Sequence, residues 1–194
     1  MNQRDRDKAE TRQRIVEAAL GLFRERGYEQ TSMGHIATAA NTSRANLYLH
    51  FSGKPLIVKE RMTQIEPEVI GLFDRLQTLG DYSPPSLLGW LQEDRRMYLE
   101  HPAEFEAISA AMAVDDEVLL EWIGLHRRII DEQRWLPRLF PDPGERELRA
   151  VHMATLMMST ERAFDVIFLR RRSSLDEDLV LESLARQWSA LFQT

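Results

Sequence analysis

The segment 44–50 carries the side chains best suited to recognition chemistry. At helical spacing, Leu47 and Phe51 face inward, which leaves the polar side chains of the segment outside. In the major groove of DNA, arginine pairs with guanine, asparagine pairs with adenine, and alanine contacts the thymine methyl group. Tyrosine and histidine can donate hydrogen bonds to phosphates. The outward residues that match this chemistry are Arg44, Ala45, Asn46, Tyr48 and His50.

Two shorter elements and a turn must position this segment. A first helix over about 8–26 and a second over about 32–40 precede a third over 44–51. Asn41 lies in the connecting turn, and asparagine tolerates positive φ better than any residue except glycine. Ala37 is small enough for the neighbouring helices to approach closely. The pattern predicts a helix-turn-helix.

The rest of the chain also shows helical periodicity, and strand-like alternation is absent. We expect an all-α fold with a helix-turn-helix domain over 1–53 and a helical ligand-binding and dimerisation domain over 54–194. Pro67 is expected to kink or split the fourth helix. The other predicted features are a linker at 80–85, helices at 86–100, 102–113, 116–136, 145–170 and 175–192, a solvated loop at 170–174, and a longest loop marked by Pro137, Pro141, Pro143 and Gly144.

Composition and charge exclude several classes of protein. The 194 residues include no cysteine, which excludes disulfides, thiolate metal sites and a cysteine nucleophile. Residues 1–60 hold ten basic and seven acidic residues, whereas the remainder holds fifteen and twenty-four. A basic head on an acidic body suits local contact with phosphates. Because no apolar run is long enough to be a signal or a membrane span, we expect a cytoplasmic protein with no membrane partner.

Three histidines raise the question of a metal site or an active site. His101, His126 and His152 do not show the spacing of metal ligands. His126 shares a helical face with Trp122, and both a pocket role and a core role remain open. The chain has no glycine-rich phosphate loop and no nucleophile elbow. We therefore expect no metal, no cofactor and no enzyme activity.

The helix-turn-helix segment resembles the TetR family of transcriptional repressors. The resemblance covers about 10–60, and four positions depart from the family pattern, namely Asn41, Thr42, Leu49 and Pro55. The stretches that carry it are Thr31-Ser32-Met33-Gly34-His35-Ile36-Ala37, Ala40-Asn41-Thr42-Ser43, Leu47-Tyr48-Leu49-His50-Phe51-Ser52-Gly53-Lys54, and Leu56.

The resemblance implies a homodimeric repressor that binds double-stranded operator DNA and responds to a ligand. The aromatic and methionine content of the helices at 86–136 predicts a small, largely apolar ligand that releases the DNA, although promotion of DNA binding stays open as an alternative. The resemblance also implies that the last two helices pair between subunits, and that ligand binding tilts the fourth helix. The effector and the operator stay open, and the alternative is a helical small-molecule-binding or interaction protein without DNA binding. The predicted DNA-binding residues are Ser32, Met33, Thr42, Ser43, Arg44, Ala45, Asn46, Tyr48, His50 and Lys54.

Two further sets of residues are predicted in the C-terminal part. Aromatic residues and methionines at helical spacing are candidates for a ligand pocket: Trp90, Phe105, Met112, Trp122, His126, Met153 and Met157. An apolar stripe on the last two helices is a candidate dimer surface: Leu148, Val151, Thr155, Ser159, Ala163, Val166, Leu184, Trp188 and Leu191.

Overall fold

The protein is all-helical in the computed structural model, which describes residues 3–193. No strand occurs in that range, and the predicted fold class is confirmed. The helices are α1 (Gln3–Arg26), α2 (Met33–Ala39), α3 (Arg44–His50), α4 (Lys54–Gln77), α5 (Pro84–Glu100), α6 (Pro102–Met112), α7 (Asp116–Asp131), α8 (Trp135–Leu139), α9 (Pro143–Ala163) and α10 (Glu177–Leu191). A π-helical turn, Phe164–Leu169, directly follows α9.

The chain divides into two compact units. The head unit comprises the described residues up to Ile65 together with Ala103–Glu121, and the body unit comprises Glu66–Pro102 with the described residues from Trp122 onward. Helices α4 and α7 each contribute residues to both units. The domain division at residues 53 and 54 stays a prediction.

Apolar side chains of the first four helices form the core of the head unit. Ile15 and Val16 of α1, Ile36 of α2 and Leu47 of α3 are fully buried, and Ile57 of α4 joins them. Burying such aliphatic side chains stabilises the fold by about 1.5–3 kcal/mol each. This core holds the two short helices, which are too short to be stable alone.

Aromatic side chains dominate the core of the body unit. The ring centroid of Trp90 lies 4.9 Å from that of Trp188 and 5.5 Å from that of Phe73. Both indole N–H groups have partners, since Trp90 donates to the Leu72 carbonyl at 2.9 Å and Trp188 donates to Thr160 Oγ1 at 3.0 Å. Because both buried indole N–H groups are hydrogen-bonded, the two tryptophans are held in one packing arrangement in the core of this unit.

The predicted helix at 116–136 extends too far at its C-terminal end. α7 ends at Asp131, and the separate helix α8 follows. Gln133 explains the break, because its buried side chain donates to the Ile129 carbonyl and accepts from the Trp135 indole, each at 2.9 Å. Such side-chain bonds to nearby backbone compete with a continuing helix.

The proline-rich region also differs from the prediction. Pro137 lies inside α8 and Pro143 begins α9, so the expected longest loop shrinks to 140–142. Proline suits the first helical turn, where its missing N–H is not needed. α4 continues through Pro67 as one helix and is not split there.

Candidate nucleic-acid interface

Each of the two short helices in the helix-turn-helix begins at a serine N-cap. Ser32 Oγ accepts from the His35 backbone N–H at 3.1 Å, and His35 Nδ1 accepts from the Ser32 N–H at 3.3 Å. Ser43 Oγ likewise accepts from the Asn46 N–H at 3.1 Å. Each cap satisfies helix N–H groups that would otherwise lack partners. The orientation of α3 is therefore set from its first residue.

The turn between α2 and α3 depends on Asn41. Its φ is +47°, as the sequence predicts, and its N–H donates to the Thr38 carbonyl at 3.1 Å. The Thr42 N–H donates to the Ala37 carbonyl at 2.9 Å. Ala37 and Ala40 are buried at 2% and 1% exposure, and their small side chains allow the close helix crossing.

Helix α3 presents one face to the core and the other to solvent. Leu47 and Phe51 are buried at 0% and 1% exposure, in agreement with the predicted inward face. Arg44 and Ala45 are exposed, and Tyr48 is 47% exposed. The outward face therefore combines a cation, a methyl group and a phenol that are free to meet a partner molecule.

Asn46 is held in place before any partner arrives. Its side-chain amide donates to Thr42 Oγ1 at 2.8 Å, and the residue is half-buried. The amide oxygen and a second amide hydrogen stay available in addition to that bond. Fixing the side chain in advance lowers the entropy cost of pairing it with a base edge.

Leu49 is an exposed apolar residue that sequence reasoning left outside the predicted set. It is 81% exposed on α3, beside Tyr48. A large aliphatic side chain in that position can contact a thymine methyl group. In the sequence, Leu49 is notable only because it replaces a residue that is usually polar. That replacement does not show that its side chain points to solvent.

Two arginines of α1 tie the first helix to the helix-turn-helix. Arg12 Nη1 donates to the His50 carbonyl at 3.0 Å, and its guanidinium lies 4.3 Å from the centre of the Phe51 ring. Arg14 Nε donates to the Ala40 carbonyl at 3.0 Å. Both accepting carbonyls lie near helix C-termini, where cations are favoured. Sequence reasoning missed these contacts because they join distant parts of the chain.

Burial lowers the pKa of the His50 imidazole, with the positive charges of Arg12 and Lys8 adding to the effect. The neutral ring is thereby favoured near pH 7. A neutral imidazole can still donate one hydrogen bond to a phosphate.

Lys54 binds the loop between α1 and α2. Its Nζ donates to the Tyr28 carbonyl at 2.7 Å and lies 4.3 Å from the centre of the Tyr28 ring. The Tyr28 hydroxyl in turn donates to the Asp115 carboxylate. Desolvation lowers the pKa of Lys54, against the raising influence of Asp115 and Glu29. The side chain therefore has a structural role in the head unit, and its contact with DNA stays a prediction.

The predicted pocket residues fall into different surroundings. Trp122 and His126 lie together in the body unit with ring centroids 4.7 Å apart. Trp90 belongs to the aromatic core described above, and Met153 and Met157 are buried. The remaining two, Phe105 and Met112, belong to the head unit.

The predicted dimer surface needs a correction. Leu184, Trp188 and Leu191 are at most 4% exposed in the single chain, so their side chains contribute to the body core and not to an outer surface. The α9 part of the stripe is open to solvent, since Leu148 is 61% and Val151 is 56% exposed. Thr155 and Ser159 are exposed, whereas Ala163 and Val166 are half-buried.

Together, the caps, the Asn41 turn and the divided faces of α3 define a helix-turn-helix protein with a helical body. The sequence model described as "Bacterial regulatory proteins, tetR family" matches residues 15–60, the segment that contains this geometry. Over residues 15–60, this chain is therefore similar to the TetR family.

Curated relatives match mainly through this segment. The HTH-type transcriptional regulator AcrR of Shigella flexneri is 45% identical over 51 residues, which cover 26% of this chain and 24% of the relative. The IcaR protein of Staphylococcus aureus (strain Newman), a negative transcriptional regulator of the biofilm operon icaADBC, is 30% identical over 80 residues, covering 41% and 43%. The chain therefore matches less than half the length of each relative.

Solved structures share the fold over nearly the whole chain. NalD of Pseudomonas aeruginosa, the secondary repressor of the MexAB-OprM multidrug efflux pump, aligns with a TM-score of 0.66 at 21% identity, covering 94% of this chain and 95% of that one. PfmR of Thermus thermophilus aligns with a TM-score of 0.62 at 20% identity, covering 91% and 97%. Both alignments support the predicted arrangement of an N-terminal helix-turn-helix and a helical C-terminal part.

Two features are absent from residues 3–193. Within that range, the structure has no helix long and apolar enough to cross a membrane. The same residues contain no group of three or more histidine, aspartate or glutamate side chains arranged to hold a metal ion.

Proposed function

We propose that this protein is a DNA-binding transcriptional repressor that acts as a homodimer and responds to a small molecule. The geometry of α3 carries this proposal, because its outward face presents Arg44, Ala45 and Asn46 above a buried Leu47. These residue types match the donor and acceptor pattern of the major groove. The names of the relatives, which are transcriptional regulators and repressors, support the same function. Such a repressor acts on chromosomal DNA, and we place the protein in the cytoplasm.

Residues around the recognition helix would fix its position on the duplex. The exposed Ser32 and the half-buried Met33 lie at the start of α2, and Thr42 and Ser43 lie at the start of α3. Contacts of this kind with phosphates set the register of a protein on DNA without reading bases. The Tyr48 hydroxyl would make a phosphate contact of the same kind.

Dimerisation would proceed through the solvent-exposed part of α9. Leu148, Val151, Thr155 and Met158 follow one another at helical spacing and are all exposed. An apolar stripe of this kind is unfavourable in water unless a partner covers it. A homodimer would present two α3 helices to half-sites about 34 Å apart on one face of the duplex.

A shift assay with the DNA upstream of the protein's own gene tests this function. The wild-type chain should retard that fragment at nanomolar concentration in the presence of excess nonspecific DNA. Arg44→Ala should weaken this binding strongly, whereas the matched control Arg186→Ala removes an exposed arginine of α10 and should leave binding nearly unchanged. Wild-type protein that binds selected and random fragments equally would overturn the proposal.

A further inference from the structure

Asp94 of α5 is a buried carboxyl without a compensating charge. It is 6% exposed, and among residues 3–193 no hydrogen-bond donor or cation pairs with it. Burying an unpaired carboxylate is costly, so a group of this kind calls for an explanation.

Glu161 of α9 provides a second carboxyl close to Asp94. Desolvation raises the pKa of Glu161, although 22% of its side chain remains accessible. Its Oε1 lies 2.7 Å from His126 Nε2, and the His126 ring centroid lies 4.7 Å from that of Trp122. Glu161, His126 and Trp122 all belong to the body unit.

A third acidic residue, Asp165, is buried and is neutralised by arginine side chains of the same chain. Asp165 is 5% exposed, as deeply buried as Asp94. Its two oxygens lie 3.0 Å from Arg162 Nη1 and 2.8 Å from Arg170 Nε. Among residues 3–193, Asp94 has no such guanidinium, so its charge lacks the compensation that Asp165 has.

Aromatic rings and an irregular backbone border the same region. The Tyr98 ring of α5 meets the Phe164 ring edge-on, with centroids 5.2 Å apart. Phe164 begins the π-helical turn, and such turns are frequent at functional sites. Burial raises the pKa of the Tyr98 hydroxyl, and the charges of Glu161, Asp94 and Asp165 add to the effect. Tyr98 lies one helical turn after Asp94, and Phe164 lies three residues after Glu161, so the contact between the two rings brings both carboxyls into one cluster. Trp122 joins the cluster through His126.

We propose that the body unit binds an organic cation, whose ammonium group lies between the carboxylates of Asp94 and Glu161. Trp122 and Tyr98 would contact its apolar part. The inference rests on the proposed ligand response and specifies the charge of the ligand, which the sequence alone predicted to be a largely apolar molecule. A cation enclosed by carboxylates and aromatic rings gains both Coulomb and cation–π attraction.

An organic cation fits this cluster better than a metal ion. Among the described residues, no three acidic or histidine side chains converge closely enough to hold a metal. A metal ion needs short bonds to several ligands at once, whereas an alkylammonium group tolerates longer contacts with carboxylates and rings.

A pair of probes that differ only in charge tests the proposal. Calorimetric titration of the full-length protein with benzyltrimethylammonium and with its neutral carbon isostere, neopentylbenzene, compares the two affinities. The cation should bind at least about tenfold more tightly, and Asp94→Asn should weaken cation binding by about 10- to 100-fold while changing binding of the isostere little. The control Glu93→Gln removes a neighbouring exposed carboxylate that pairs with Arg75, and it should bind both probes as the wild type does.

Folding of the Asp94→Asn variant is checked by its unfolding transition. Desolvation, followed by the charge of Glu161, raises the pKa of Asp94, so the folded state holds its proton more tightly than the unfolded chain. Wild-type stability from this group therefore falls as pH rises from about 3.8 through the higher folded pKa. The asparagine side chain of the variant carries no such proton, and the variant should gain stability relative to the wild type over that range. The groups around Asp94, namely Glu161, Tyr98, His126 and Asp165, are the same in both proteins.

Three outcomes separate the ligand proposal from the proposed function. Equal affinities for cation and isostere, unchanged cation affinity in Asp94→Asn, or no cation binding at millimolar concentration would each overturn the cation site. Operator binding is measured on the same samples without probe, and its failure would count against the repressor function alone. Release of operator DNA by benzyltrimethylammonium in the wild type, and not in Asp94→Asn, would support both.

Discussion

The contacts of Lys54 yield a prediction about stability that a role limited to DNA contact would not. We consider Lys54→Met, which keeps most of the aliphatic stem and removes the ammonium group. The 2.7 Å hydrogen bond to the Tyr28 carbonyl and the 4.3 Å approach to the Tyr28 ring are both lost. A hydrogen bond to a charged group contributes about 1.5–3 kcal/mol, and a partly exposed cation–π contact contributes about 0.5–1 kcal/mol.

Because Lys54 is only half-buried, the lower ends of these ranges apply, and we expect a loss of about 2 kcal/mol. For a chain of this length, that loss corresponds to a decrease in melting temperature of about 4–8 °C. Thermal unfolding followed by circular dichroism measures it. Lys59→Met is the matched control, since the 3.5 Å pair of Lys59 with Glu121 is partly exposed and contributes about 0–1 kcal/mol.

The same variant also measures the contact of Lys54 with DNA. If Lys54 in addition neutralises one phosphate, the slope of log K against log salt should become shallower by about one unit. Equal melting temperatures for Lys54→Met and the wild type would refute the structural reasoning, whatever the salt dependence shows.

Two other substitutions test the turn and the dimer. Asn41→Ala should destabilise the head unit by about 1 kcal/mol because alanine tolerates positive φ poorly, whereas Asn41→Gly should be neutral or stabilising in urea unfolding; equal effects would contradict the role of the +47° φ. Leu148→Glu combined with Val151→Glu should convert a dimer into monomers in sedimentation velocity experiments and abolish operator binding, whereas Glu182→Gln on the exposed face of α10 serves as the control. A double variant that sediments as a dimer would exclude this part of α9 as the interface.

Local sequence signals predicted the helix-turn-helix in detail. Serine caps, the Asn41 turn and the inward spacing of Leu47 and Phe51 depend on residues close together in the chain. Interactions of this kind follow from propensity and periodicity, and the structure confirms them.

Contacts between distant segments could not be predicted in the same way. Periodicity shows that α10 has an apolar face, but it does not show that Trp188 packs against Trp90 within one chain. For that reason the predicted dimer stripe included Leu184, Trp188 and Leu191, whose side chains are buried within the single chain. The bond from Tyr28 to Asp115 joins residues 87 positions apart, and no local pattern indicates it. The break after α7 depends on how Gln133 is buried, which is also a tertiary property.

The base preference of Arg44→Ala and Asn46→Ala tests the central claim most directly. Operator sequences selected from random DNA by the wild type and by each variant give the preference at every position. If α3 reads bases, each variant should lose discrimination at one position per half-site, at a cost of about 1–3 kcal/mol, and should keep the preferences elsewhere. Two variants that select the same sequences as the wild type, with unchanged discrimination at all positions, would contradict the account.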